Sequence, residues 1–171
     1  MTDHSFMTHN TRHVCFFVGW RAFILLFFLT LGYSQMAHIK SFDITAFATD
    51  ETEQAIIIAI ALNHFREVAP DIAVSQKSSY LLSIEITKTE GENFAYHIRG
   101  VLSKGYYGNS YIVYWENGWI GFCPTNRWAE IRKETIEKLM DTFLIEWYKS
   151  KVGSGINYDW AEKLYQQKFG K

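Results

Sequence analysis

Between Tyr80 and Cys123 apolar and polar residues alternate with a period of two, and this pattern limits the fold more than any other feature of the chain. From Tyr80 to Lys88, Leu82, Ile84 and Ile86 fall on one face and Ser83, Glu85 and Thr87 on the other. Phe94 to Ser103 repeats the pattern, with Phe94, Tyr96, Ile98 and Leu102 opposite Ala95, His97, Arg99 and Ser103. A three-residue loop, Glu90-Gly91-Glu92, predicts a hairpin that pairs Ile84 with Ile98, Ile86 with Tyr96, Glu85 with His97 and Ser83 with Arg99. A slip of one residue would set apolar side chains against polar ones. Asn117-Gly118, a preferred type I′ turn pair, predicts a second hairpin from about Ser110 to Cys123 that pairs Trp115 with Ile120 and Val113 with Phe122.

The flanking segments supply a further strand and the helices. Ile39 to Phe47 places Phe42, Ile44 and Ala46 on one side and reads as the first strand. Asp50 followed by Glu53 has the spacing of a capping box, and the helix it opens must end before Pro70. Its β-branched cluster Ile56, Ile57, Ile58 and Ile60 lowers intrinsic helicity, so burial has to hold it. Pro124-Thr125-Asn126 opens a long helix whose apolar stripe is Trp128, Ile131, Ile136, Leu139, Met140, Phe143 and Trp147. Gly153, Ser154 and Gly155 form a joint to a short tail helix over 156–171, capped by Asp159 and Glu162 and carrying Trp160, Leu164 and Phe169. The expectation is an α+β domain: an antiparallel sheet of about five strands with two main helices and a short C-terminal one.

Ahead of this domain lies an export signal. Arg12 and Arg21 precede the apolar run Ala22 to Leu31, which Gly32, Tyr33, Ser34 and Gln35 close with small and turn-forming residues. The run of 10 residues suits a signal core and falls short of the roughly 20 that span a bilayer. Extending it back to Val14 would place Arg21 in hydrocarbon, at a cost of roughly 2.5 to 3.5 kcal/mol. The expected division is a signal over 1–34, a domain over 35–152 and a tail over 153–171, with cleavage before Gln35 and Ala37 as a second possible end. The protein is then periplasmic or secreted. The alternative is a membrane anchor over residues 14–31, and only then is a membrane a partner.

The residues from Tyr80 to about Lys151 resemble a family of small exported bacterial proteins with no assigned activity. The resemblance rests on a strand hairpin, on Trp115, Glu116, Asn117, Gly118 and Gly121, and on a long helix ending in Met140, Asp141, Phe143, Ile145 and Tyr148. It implies a signal peptide and a β-α-β-β-β-β-α order, and no catalytic residues. An Asn that follows the helix in that pattern is replaced here by Ser150 or Lys151.

Chemistry is sparse. Lys and Arg number 17 against 18 Asp and Glu, so no charge excess points to nucleic acid. The expected domain has no Cys-x-x-Cys, His-x-x-x-His or glycine-rich phosphate loop, and its histidines His38, His64 and His97 are scattered; neither a metal nor another cofactor is expected. With Cys15 in the signal, only Cys123 remains, expected as a buried thiol. The sharpest catalytic set is Glu85, His97 and Arg99 with Ser83, in which the carboxylate would orient the imidazole for a hydrolase-like reaction. Opposite charges across strands also stabilise a solvated sheet face with no chemistry involved. The candidate binding set is Tyr111, Tyr114, Trp115 and Trp119, which, if exposed, would take a glycan, an envelope protein or a second subunit. The sequence therefore favours a non-catalytic binding or assembly accessory of the periplasm or cell envelope.

Overall fold

A computed structural model describes residues 36–105, 111–151, 160, 163, 164, 166 and 167. The expected signal, residues 106–110, the Gly-Ser joint, the caps Asp159 and Glu162, and Phe169 lie outside them. The element order is β1 (Asp43–Phe47), α1 (Glu51–Val68), β2 (Tyr80–Lys88), β3 (Asn93–Gly105), β4 (Tyr111–Pro124), a 3-10 turn (Thr125–Arg127) and α2 (Trp128–Lys151). The four strands form one sheet in the order β1-β2-β3-β4. The class is α+β as expected, with four strands among the described residues in place of about five.

The first pairing is parallel: Ile44 lies opposite Leu82 and Ala46 opposite Ile84, so α1 is the crossover that parallel neighbours require. The sheet is thus mixed and not purely antiparallel. Asp50 caps α1, its Oδ1 accepting from the Glu53 amide at 2.8 Å. This is half of a capping box, because the Glu53 side chain does not turn back to Asp50. Just before β1, Phe42 bridges to Val74, and the Phe42 amide donates to Ala73 while its carbonyl accepts from Ser75. The 73–75 segment thereby covers the start of the β1 edge.

β2 and β3 form the predicted hairpin two residues out of the predicted register. Ile86 faces Ile98, Ile84 faces Gly100, Glu85 faces Arg99 and Thr87 faces His97. A two-residue shift keeps every side chain on its face, so alternation by itself cannot detect it. The loop sets the register: Gly91 has φ 126, and the Thr89 amide bonds the Ala95 carbonyl at 2.9 Å. Both Glu85–His97 and Ser83–Arg99 are therefore incorrect as pairs.

The second predicted hairpin does not exist. β4 runs unbroken for 14 residues, and Asn117 and Gly118 lie mid-strand opposite Gly100 and Arg99. A type I′ turn needs positive φ at both central residues, and among the described residues only Gly91 has one. A continuous strand lets the whole 13-residue length of β3 find backbone partners. The one irregularity is a bulge between Leu102 and Ser103, which leaves Tyr114 as the extra residue of β4.

Both helices cover the face that carries Ile44, Leu82, Ile84, Ile98 and Leu102, all buried. Phe42 joins them, lying edge-on to Phe65 of α1 at 5.8 Å and to Phe143 and Trp147 of α2 at 5.1 and 5.2 Å. Gly100 allows the close approach of α2 to β3: a Cβ there would sit 2.8 Å from the Trp115 ring and 3.1 Å from Leu139. Trp160 and Leu164 of the tail are buried members of the same core.

Candidate functional site

The four residues of the catalytic expectation lie on β2 and β3, on the sheet face turned away from α1 and α2. Arg99 is their centre. Its Nη1 lies 3.3 Å from Glu85 of β2 and its Nε donates to Glu116 of β4 at 2.9 Å. The bond to Glu116 raises the Arg99 pKa above its ordinary value, against a smaller opposing effect of burial and with further support from Glu85. The result is a carboxylate-guanidinium-carboxylate ladder across three strands. Glu85 is thereby committed to Arg99, and His97, a diagonal neighbour, makes no hydrogen bond or ion pair among the described residues. Ser83 is buried opposite Val101. These residues are brought to one face, but not into an acid-base pair.

His97, Arg99, Glu116, Asn117, Gly118 and Ile120 line a shallow, open concavity of ≈ 540 Å³. Gly118 shapes its floor, since a Cβ there would meet the Ile98 carbonyl at 2.9 Å and the His97 ring at 3.2 Å. The depression is wide and carries three charged or ionisable side chains, two of which neutralise each other.

The aromatic set is dispersed by alternation and by the bulge. Trp115 is a core residue, edge-on to Phe143 at 5.1 Å. Tyr114 turns into a ring cluster with His38 and Tyr80, at centroid distances of 5.5 and 5.4 Å, and Lys104 lies 5.2 Å over Tyr80. Burial, with the neighbouring Tyr80, raises the Tyr114 pKa. Tyr111 is 61% exposed, while Trp119 sits half-exposed at the rim of the helix-covered face. Cys123 is buried, its thiol 3.1 Å from the Pro124 carbonyl.

Sequence reasoning underweighted the edge of β4. Ile120 is 77% exposed and Phe122 82%, and both lie with Tyr111 and Val113 on the face turned from the helices. Ile112 and Trp119 are exposed on the other side of the same strand. Once Asn117-Gly118 is read as strand, these residues lie along a sheet edge whose outward backbone groups have no partner strand among the described residues.

Two buried polar sites and one half-buried pair were also missed. Glu53 is buried and receives Lys88 Nζ at 2.9 Å, Trp128 Nε1 at 2.9 Å and Arg132 Nη1 at 3.3 Å. Burial alone would raise its pKa, but the bonds from Lys88, Trp128 and Arg132 outweigh burial and lower it. Lys151 is buried at the end of α2, with Nζ 2.7 Å from the Met36 carbonyl and 2.8 Å from that of Ala37; it also bonds the Ile39 carbonyl and lies 4.5 Å over the Trp147 ring. Burial lowers its pKa to about 8. His64 Nε2 of α1 lies 2.7 Å from Asp141 Oδ1 of α2. Each joins segments remote in sequence, so no local motif announces it.

No protein-family model matches the chain, and no curated protein matches it. Among solved structures it is similar to a dodecamer of a PelC variant from Paraburkholderia phytofirmans, at 14% identity and a TM-score of 0.42, over 59% of this chain and 84% of that one. It is also similar to the rare lipoprotein B of Shewanella oneidensis, at 6% identity and a TM-score of 0.41, over 68% of this chain and 99% of that one. Likeness at this level transfers no residue role to this chain.

Proposed function

We propose that this protein is exported and acts as a non-catalytic binding or assembly accessory of the periplasm or cell envelope, using the edge of β4 as its working surface. Export rests on Arg12, Arg21 and the 10-residue apolar run to Leu31, closed by Gly32 to Gln35. The observation that carries the binding role is the β4 edge: 14 residues of open strand with Ile120 and Phe122 largely in solvent. A long apolar edge left open invites aggregation, so a strand of this kind calls for a partner. Strand addition is the binding mode that such an edge offers: backbone bonds supply affinity and alternate side chains supply specificity. The non-catalytic reading is supported by Glu85, which pairs with Arg99 and leaves His97 without the carboxylate that a base would need.

The test is fractionation of the native cell with N-terminal sequencing of the recovered protein, run beside the Ile120→Lys variant. The chain is expected in the envelope or medium, beginning at Gln35, and to migrate in a larger complex that the variant lacks. A full-length chain in the cytoplasm would remove the export half of the reading. An unchanged complex with the variant would remove the edge.

A further inference from the structure

We infer that the strand completing the sheet is β4 of a second copy of this chain, added antiparallel about a two-fold axis that passes between the two copies of Asn117. The inference rests on the reading of β4 as the working edge and names its occupant. Four observations lead to it.

The first is the pattern along β4, which is apolar, then polar, then apolar. Tyr111, Ile112 and Val113 form one exposed arm, Glu116, Asn117 and Gly118 the centre, and Trp119, Ile120 and Phe122 the other arm. An antiparallel two-fold brings the first arm of one copy against the second arm of the other. About this axis, with Tyr114 passed over as the bulge residue, Tyr111 meets Phe122 and Val113 meets Ile120. The bulge at Tyr114 makes this match possible, because it resets alternation so that Tyr111, Val113, Ile120 and Phe122 share the face turned from the helices. Aromatic-aromatic and β-branched pairs across a seam are the stabilising kind.

The second observation is charge. Glu116 is the only acidic or basic residue in β4, and Arg99 of its own chain holds it at 2.9 Å. Near the axis each Glu116 therefore brings its own counter-charge, and the strand offers no charge pattern to a basic or acidic partner. The third is area. Six exposed apolar side chains, at roughly 100 Å² each, amount to about 1,200 Å² over two copies, the lower bound of a standard interface. The fourth is closure. The other edge strand, β1, has five residues and its start is covered by 73–75, so head-to-tail addition of β4 to β1 would leave most of β4 bare. The isologous contact satisfies both copies and ends the assembly at two.

The experiment uses the processed protein purified from expressing cells. Sedimentation equilibrium across a concentration series should give twice the chain mass for the wild type. Ile120→Lys should weaken the dimer at least ~10-fold with an unchanged circular dichroism spectrum and thermal midpoint. Ile56→Lys, which alters an exposed apolar residue of α1, should leave the dimer intact. A wild type that stays monomeric throughout, or an Ile120→Lys dimer as tight as the wild type, overturns the inference. A photo-crosslinking residue at position 120 in living cells separates this failure from that of the wider reading. A mixed-isotope adduct of two identical chains supports the two-fold. An adduct only with a different protein overturns the second copy while keeping the edge as the working surface, and no adduct at all overturns both.

Discussion

At the scale of single residues, Lys151 holds the chain where the expected signal ends. Its ammonium binds the carbonyls of Met36, Ala37 and Ile39, residues more than a hundred positions away, and leans on Trp147. Replacement by Met leaves these carbonyls without their donor and should cost about 2 kcal/mol in urea unfolding at neutral pH. The pH dependence is equally specific. Burial sets the native pKa at about 8 against the ordinary 10.5, so within that window the unfolded chain binds more protons than the folded one. This group makes wild-type stability rise with pH from about 8 to 10.5, as the penalty for burying the charge is relieved. Unfolding free energies measured on either side of the window should show the rise in the wild type and its loss in Lys151→Met. Glycines act locally in the same sense. The Tyr96 ring lies across Gly121, with its hydroxyl 2.6 Å from where a Cβ would be, so the aromatic covers backbone that a side chain would otherwise occupy.

At the scale of elements, Glu53 ties three of them together. Placed in the first turn of α1, it takes Lys88 from the end of β2 and both Trp128 and Arg132 from the start of α2. Glu53→Gln keeps an acceptor and removes the charge, leaving two cations without their carboxylate, and should cost about 3 kcal/mol. The native pKa is lowered, so the contribution is present above the ordinary 4.5 and is lost as pH falls through the native value. Urea midpoints of the wild type and variant should therefore differ at neutral pH and converge in acid. The capping spacing Asp50 to Glu53 was legible and located the helix start, but the second half of the box was not formed. A carboxylate within reach of two cations and an indole N–H gains more there than from one backbone amide.

At the scale of the whole molecule, the fold bears on the two expected cleavage points. Met36 and Ile39 are buried in the core, and Met36 and Ala37 supply two of the Lys151 acceptors. A chain starting at Gln35 retains all of them, whereas one starting at His38 loses a buried side chain and two bonds and sets a new α-ammonium near Lys151. Expressed as two truncations, the shorter should be less stable by about 2 to 4 kcal/mol in urea unfolding, which distinguishes the two candidate cleavage points by energetics alone. Equal stability of the two would leave Ala37 as good an end as Ser34.

The sequence by itself determined the alternation of faces along β2 and β3, the start and end of α1, the start of α2, the identity of the core stripe from Trp128 to Trp147, and the burial of Cys123. These depend on periodicity and on local backbone chemistry, which are written within a few residues of each site. Tertiary structure decided the β2-β3 register, the parallel β1-β2 pair and the course of β4. A two-residue shift leaves each face unchanged. Asn117-Gly118 locally prefers a turn, and strand pairing overrode that preference. That choice was made by β3, whose backbone groups along 13 residues require a continuous neighbour. The same choice moved Ile120 and Phe122 to an open edge and placed Arg99 between Glu85 and Glu116, so the candidate site emerged only when three distant segments were laid side by side.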